Sequence, residues 1–416
     1  MGPKTPGQPP QKAERCQLLR DIVDAIEARV SRQMSSLSTR TPGARCRASR
    51  VAAPRVPDEW LEHSVSNDNK QLSDRPTGIG AEADHGTTQG SGIQIREGVL
   101  AVPGELKLHF GGTLESVSIA WRIAGPAGAP VVVALGGISA SRRVWIPDEP
   151  RGGWWHEVVG PGLALDPQRF RILSFDYLGA SADSTGPRDG APFPSISAYD
   201  QAELLLRLIN HLGVASLRAI AGASYGGMVA LAFGERYPDR VARLLVISAA
   251  DRAHPMASAW RVVQRRIVKF AIESGNPAQG LELARALAMA TYRSPEEFAA
   301  RFAGAARKVD GRFELPVEEY LFARGADYAQ RYRPDSFVCL SESIDLHRVD
   351  TARIFAPVTA VAVREDQLVP LADMRAMVAR LPNAELHEIS SVYGHDAFLK
   401  ENRRLAPIFS NVLSPA

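Results

Sequence analysis

Gly222-Ala223-Ser224-Tyr225-Gly226 is a G-x-S-x-G pentapeptide. It lies between an apolar run, 217–221, and a helix-like stretch, 227–233. Strand, tight turn and helix in that order make a nucleophile elbow, which lifts a serine hydroxyl above a sheet edge. Glycines two residues to either side admit close backbone approach, and the helix N-terminus offers N–H groups to an anion. A serine hydroxyl is a weak nucleophile until a base removes its proton and a carboxylate orients that base. Both partners follow along the chain. Asp366 lies just past the apolar run 358–363, with Glu365 beside it as a competing acid. His395 lies past the run 384–389, in Tyr393-Gly394-His395-Asp396-Ala397-Phe398.

Of nine histidines, His395 occupies the loop after the last strand. His109, His156, His211, His254, His347 and His387 fall within expected strands, helices or the helical insertion, mostly at the surface, and His63 and His85 lie in the N-terminal segment. A tetrahedral oxyanion needs two N–H donors. One is expected from the backbone of Tyr225. The other is expected from the loop Gly136-Gly137-Ile138, with Gly137 preferred and Ile138 as the alternative.

These residues need a sheet whose strands end at one edge. Alternating segments at 99–102, 106–110 and 116–121, split by Pro103-Gly104 and Gly111-Gly112, read as antiparallel strands. Strands are expected at 130–135, 170–176, 217–221, 244–248, 358–363 and 384–389; the continuous apolar run at 130–135 suits a strand buried on both faces. Helices are expected at 198–212, 371–381 and 396–413. Alternating strands and helices predict an α/β fold with a mostly parallel sheet and right-handed crossovers. Ser, then Asp, then His is the chain order of the α/β-hydrolase fold.

The alternation breaks between 252 and 350, where helices are expected at 257–274, 278–291, 295–304 and 317–330. About a hundred helical residues exceed one crossover, so residues 252–350 read as a cap over the site. Residues 93–251 and 351–416 then form the core. Residues 1–92 contain no Phe or Tyr and one Trp, Trp60, so they read as a disordered extension with one possible helix at 12–33.

Composition narrows the function classes. The 416 residues, 45% hydrophobic and 23% charged, suit a soluble globular protein. A net charge of +3, with no basic cluster interleaved with aromatics, gives no reason to expect nucleic acid. No apolar run reaches membrane-spanning length, so no membrane association is expected. Cys16, Cys46 and Cys339 have no metal-ligand spacing, so no metal site is expected and a reduced compartment fits.

From about residue 96 to 412 the sequence resembles the homoserine O-acyltransferase branch of the α/β-hydrolases. The resemblance rests on Gly153-Trp154-Trp155, Val159-Gly160-Pro161-Gly162, the segment 179–187, Gly222–Gly227, Thr291-Tyr292-Arg293-Ser294 and Gly394–Phe398. It implies Ser224 as nucleophile, Asp366 as acid and His395 as base. It further implies Arg293 and Asp396 as substrate-binding residues. A guanidinium suits the acceptor's α-carboxylate, and a carboxylate suits its α-ammonium. Read without the resemblance, Arg293 fits a lid salt bridge and Asp396 fits a helix N-cap. The family implies acyl-CoA as cosubstrate with no permanently bound cofactor. It also implies homoserine as acceptor, a place in methionine biosynthesis, a cytoplasmic location and a homodimer through the cap.

Two departures bear on the acyl site. The family commonly carries a His-Ala-Leu-Thr-Gly type loop where this chain has Leu135-Gly136-Gly137-Ile138-Ser139, and often Met where this chain has Tyr225. Arg142 and Arg143 are candidates for a succinyl carboxylate, the phosphates of CoA or solvent. Acetyl and succinyl donors, and homoserine and serine acceptors, stay open. An esterase would use the same three residues without an amino-acid clamp, and a binding protein on this fold would usually lack one of them.

Overall fold

The computed structural model describes residues 93–414 apart from 148, 150, 151 and 189–191. The helix expected at 12–33 lies outside the described residues.

The first segment gives β1 (Ile95–Ala101), β2 (Leu106–Lys107), β3 (Thr113–Leu114) and β4 (Ser118–Ala124). Then come β5 (Val131–Leu135), β6 (Arg171–Phe175), α1 (Ala198–His211), β7 (Ala219–Ala223), α2 (Tyr225–Arg236) and β8 (Leu244–Ile247). After β8 follow α3 (Pro255–Glu273), α4 (Pro277–Tyr292), α5 (Pro295–Phe302), the strands β9 (Arg307–Val309) and β10 (Arg312–Glu314), α6 (Pro316–Arg331) and α7 (Pro334–Asp345). The chain closes with β11 (Val358–Val363), α8 (Leu371–Val378), β12 (Ala384–Ile389), α9 (Ala397–Lys400) and α10 (Asn402–Leu413).

Eight strands form one sheet in the order β1-β4-β6-β5-β7-β8-β11-β12. β4 runs antiparallel to both β1 and β6, and every pairing from β6 to β12 is parallel. The segment expected as a strand at 106–110 pairs only over Leu106–Lys107, in a separate two-stranded ribbon. Every residue of β5, β7, β8 and β11 is buried. Those strands carry helices on both faces, which explains continuous apolar runs without alternation. Side chains of α1, α2 and α8 pack on one face. Leu405, Ile408 and Phe409 of α10 pack with Trp155 on the other.

The helices after β8 have a common start signal. α3 to α7 each begin with proline, at 255, 277, 295, 316 and 334. Proline fits the first turn because its missing N–H would have no helical acceptor there. Ser294 adds a side-chain cap, accepting from Glu297 N at 3.1 Å. Among the described residues no helix is long and apolar enough to cross a membrane.

Candidate active site

The elbow is a single-residue turn between β7 and α2. Ser224 has φ 54° and ψ −122°, a left-handed conformation that an L-residue adopts at a cost. Two glycines make the turn sterically possible. A Cβ on Gly222 would lie 2.2 Å from the Gly226 carbonyl oxygen, and one on Gly226 would lie 2.4 Å from the Leu135 carbonyl oxygen.

Three side chains from three loops form a hydrogen-bonded chain above the C-terminal strand ends. His395 Nε2 lies 2.9 Å from Ser224 Oγ, and its Nδ1 lies 2.7 Å from Asp366 Oδ2. The other oxygen of Asp366 accepts from Leu368 N at 2.8 Å and Val369 N at 3.0 Å, so the loop after β11 fixes the carboxylate. Glu365 turns the other way, accepting from Ser391 N at 2.7 Å and from the Ser390 hydroxyl. Of the two carboxylates, Asp366 is the one hydrogen-bonded to His395. Burial of His395 opposes its charged form. The Asp366 charge and hydrogen bond, with Asp396 nearby, outweigh that burial and raise its pKa above the ordinary 6.5.

In the first turn of α2, Gly226 N donates to Gly136 O, while Gly227 N and Met228 N donate to Ser224 O. No such bond ties up Tyr225 N among the described residues. Gly137 passes close to the nucleophile, with the site of its missing Cβ 3.9 Å from Ser224 Oγ.

The chain opens into a cavity of ≈ 240 Å³. Its walls include Gly137, Ile138, Ser224, His395 and Asp396, and, after β8, Trp260, Gln264, Tyr292 and Tyr328. Five arginines (Arg252, Arg261, Arg285, Arg324 and Arg331) face three aspartates (Asp327, Asp373 and Asp396), so the cavity is net cationic. Asp345 balances Arg261 at 2.7 Å from behind. Among the described residues no group of His, Cys, Asp and Glu is arranged to hold a metal.

The other candidate residues take these places. Asp396 lines the cavity, but Arg293 does not. Arg293 Nε pairs with Asp396 Oδ2 at 3.0 Å, and its Nη1 lies 3.4 Å from Glu297. The two residues implied to bind substrate, Arg293 and Asp396, are therefore ion-paired with each other, with Asp396 on the cavity wall. Arg285 is the cationic residue of α4 on the cavity wall, its guanidinium 5.2 Å from the Tyr292 ring centre and 4.6 Å from that of Tyr328. Sequence reasoning missed it. The available signal was the seven-residue spacing to Tyr292, two helical turns on one face. Arg142 is also elsewhere, held by Asp176, by Asp183 at 2.8 Å and by Glu97 at 3.7 Å. The Tyr225 side chain does not border the acyl site either. It is fully buried, with its hydroxyl 2.6 Å from Ser343 Oγ and its ring edge-on to Tyr177. Finally, His347 is buried rather than superficial, hydrogen-bonded to Ala250 O at 3.1 Å.

The α/β-hydrolase fold family matches residues 130–402. Over 319 residues the chain is 42% identical to the homoserine O-succinyltransferase of Xanthomonas campestris, covering 75% of this chain and 84% of that protein. It is 31% identical over 357 residues to the homoserine O-acetyltransferase of Citrifermentans bemidjiense, covering 77% and 97%. Solved structures agree on the fold: homoserine O-acetyltransferase from Bacillus anthracis superposes with a TM-score of 0.71 at 20% identity, over 78% of this chain and 98% of that one. Esterase E22 superposes with 0.69 at 20% identity, over 77% and 100%. At 42% identity over most of both chains, with the parallel sheet and strand-end loops described above, this chain belongs to the homoserine O-acyltransferase family of α/β-hydrolase-fold enzymes.

Proposed function

We propose that the chain O-acylates L-homoserine from an acyl-CoA donor by two successive transfers through Ser224, a step of methionine biosynthesis. The observation that carries this reading is one cavity lined by Ser224, His395, Arg285 and Asp396, with Asp366 hydrogen-bonded to His395 outside its wall. His395 takes the Ser224 proton as Oγ bonds to the thioester carbonyl carbon. The resulting oxyanion is held by Tyr225 and Gly137 N–H groups. The carbon–sulfur bond breaks, and His395 returns the proton to the CoA thiolate. Homoserine then enters with its ammonium at Asp396 and its carboxylate at Arg285. His395 removes the side-chain hydroxyl proton, that oxygen bonds to the acyl carbon, and Ser224 leaves with the proton.

A succinyl donor is the preferred form of this reading. The 42%-identical relative is named for that group, and a net cationic cavity suits an acyl chain ending in a carboxylate. The reaction takes place in the cytoplasm in this reading, catalysed by residues 93–251 and 351–416 beneath a cap at 252–350. A homodimer through that cap is part of the proposal, supported by exposed Val262, Val263 and Phe270 on α3. The test is thiol release from succinyl-CoA and acetyl-CoA, each with homoserine, with serine and alone. Homoserine-dependent release from succinyl-CoA is expected. Release independent of any amino acid would make the protein a thioesterase, and release from neither donor would end the acyl-CoA reading.

A further inference from the structure

The loop after β5 is held by two phenol hydroxyls, one from each side. Tyr177, fully buried at the end of the segment after β6, donates to Gly136 O at 2.8 Å. Gly226 N donates to the same oxygen at 2.9 Å. Tyr332, just after α6, donates to Ile138 O at 2.8 Å. Between these two carbonyls lies Gly137. In a planar trans peptide the N–H points opposite to the preceding C=O. Two donors fixing Gly136 O therefore also fix the direction of the Gly137 N–H. The intervening carbonyl, Gly137 O, accepts from Ala140 N at 2.9 Å and closes the turn.

We propose that Tyr177 and Tyr332 are positioning residues that hold the Gly137 N–H aimed at the acyl oxyanion before substrate arrives. This deepens the reading of Ser224 as nucleophile and rests on it. The loop needs such support because it contains Gly136-Gly137, which has more backbone freedom than any other dipeptide. An unsupported peptide there would rotate and lose the donor, whereas a preorganised donor needs no reorganisation during the reaction. The proposal also gives Tyr225 a role for its ring. Tyr225 packs edge-on against Tyr177 at 5.1 Å and is tied through Ser343 to α7, so it fixes the position of the Tyr177 phenol.

The test uses the full chain and compares Tyr177→Phe and Tyr332→Phe with wild type. The phenylalanine ring keeps the packing and removes only the hydroxyl. Loss of one oxyanion donor costs about 10²–10³ in rate, so a donor that is loosened rather than removed should cost roughly tenfold. The acylation burst with a p-nitrophenyl ester should slow about that much in Tyr177→Phe, and less in Tyr332→Phe. KM for homoserine should stay within about twofold, because no ground-state contact is lost. A boronic acid that forms a tetrahedral adduct should weaken in step with the burst rate, while CoA binding stays unchanged. Tyr199→Phe, which removes a phenol hydroxyl that bonds Glu235 and Arg348 O away from the cavity, should leave the burst intact. A burst in Tyr177→Phe within twofold of wild type overturns the proposal. So does a slower burst with unchanged boronate affinity. The nucleophile reading fails separately, if Ser224→Ala still forms an acyl-enzyme by mass spectrometry.

Discussion

Replacing Arg285 and Arg293 in turn separates substrate binding from support. Arg285 lies in the middle of α4 and Arg293 just past its end, eight residues apart, and of the two Arg285 borders the cavity. On the proposed reading Arg285 forms two charge-assisted hydrogen bonds to the homoserine carboxylate. Such bonds contribute about 1.5–3 kcal/mol each, so losing both in Arg285→Ala costs on the order of 3 kcal/mol. At 1.4 kcal/mol per tenfold, the homoserine KM should rise about 100-fold. Acylation of Ser224 by the donor should keep its rate, because homoserine is absent from that half-reaction. Arg293→Ala removes the partner of Asp396, whose side chain is 14% exposed. Breaking a fully buried pair costs about 3–5 kcal/mol; at this exposure about half is expected, chiefly as lost stability. At about 2.1 cal/mol/K of unfolding entropy per residue, each kcal/mol lowers the Tm of a folded unit of about 320 residues by about 1.5 °C, so a drop of roughly 3 °C is expected. Homoserine-dependent kinetics on both variants, with burst measurements and thermal melts, make the comparison. The assignment is refuted by a 100-fold KM effect in Arg293→Ala at unchanged Tm, with Arg285→Ala kinetically normal.

Two other consequences concern protons. His395 acts as a base only when neutral, and its pKa lies above 6.5, so the acid limb of kcat/KM for acylation should fall above pH 6.5. Asp366→Asn removes the charge that raises it, leaving burial to lower it. The limb should then move to lower pH while the plateau drops by about 10⁴-fold; a limb that stays in place would show that another group titrates. Burial pushes the His347 pKa down to about 4, against 6.5 for an ordinary histidine. The unfolded chain then takes up a proton that the folded chain refuses, so stability falls as pH drops from about 6.5 to 4, by about 3 kcal/mol in all. Denaturant unfolding of His347→Gln across that range should show a shallower loss than wild type; equal slopes would place the acid sensitivity elsewhere.

The bounds of β11 were legible in the sequence because its apolar run ends abruptly in a polar loop, and those of β12 because Leu386 and Ile389 stand among polar residues before another polar loop; the two loops carry Asp366 and His395. The elbow was legible for a steric reason, since only glycine fits at 222 and 226. The helix α7 was not expected. Its segment, Pro334–Asp345, contains three serines and two aspartates, residues that compete for backbone hydrogen bonds and blur helical periodicity. The place of Arg293 was not legible, because the motif Thr291-Tyr292-Arg293-Ser294 gives spacing but not the end of the helix. α4 stops at Tyr292, and Arg293 adopts φ −100°, ψ 158°, an extended conformation that turns its side chain off the helical face. Arg285, two turns before Tyr292, stays on that face. Tyr225 was misread because position in the sequence places the backbone of an elbow residue at the oxyanion but does not say where its side chain goes.

The choice between homoserine and serine follows from where the acceptor is anchored. Asp396 is the residue after His395, so an ammonium bound there lies beside the base. In the proposed reading Arg285 holds the carboxylate, so the α-carbon between the two groups has little freedom. The distance from that carbon to the hydroxyl becomes the quantity the site measures. Homoserine has two methylenes in that span and serine one. With both charged ends held, serine's hydroxyl stops short by on the order of 1 Å, and misplacement of that size costs on the order of 10²-fold in rate. Water suffers the same comparison more severely, since it has no charged end to be held. The esterases that share this fold need only the serine, the histidine and the acid. A guanidinium and a carboxylate in the same cavity add a held acceptor, and a held acceptor favours transfer over hydrolysis.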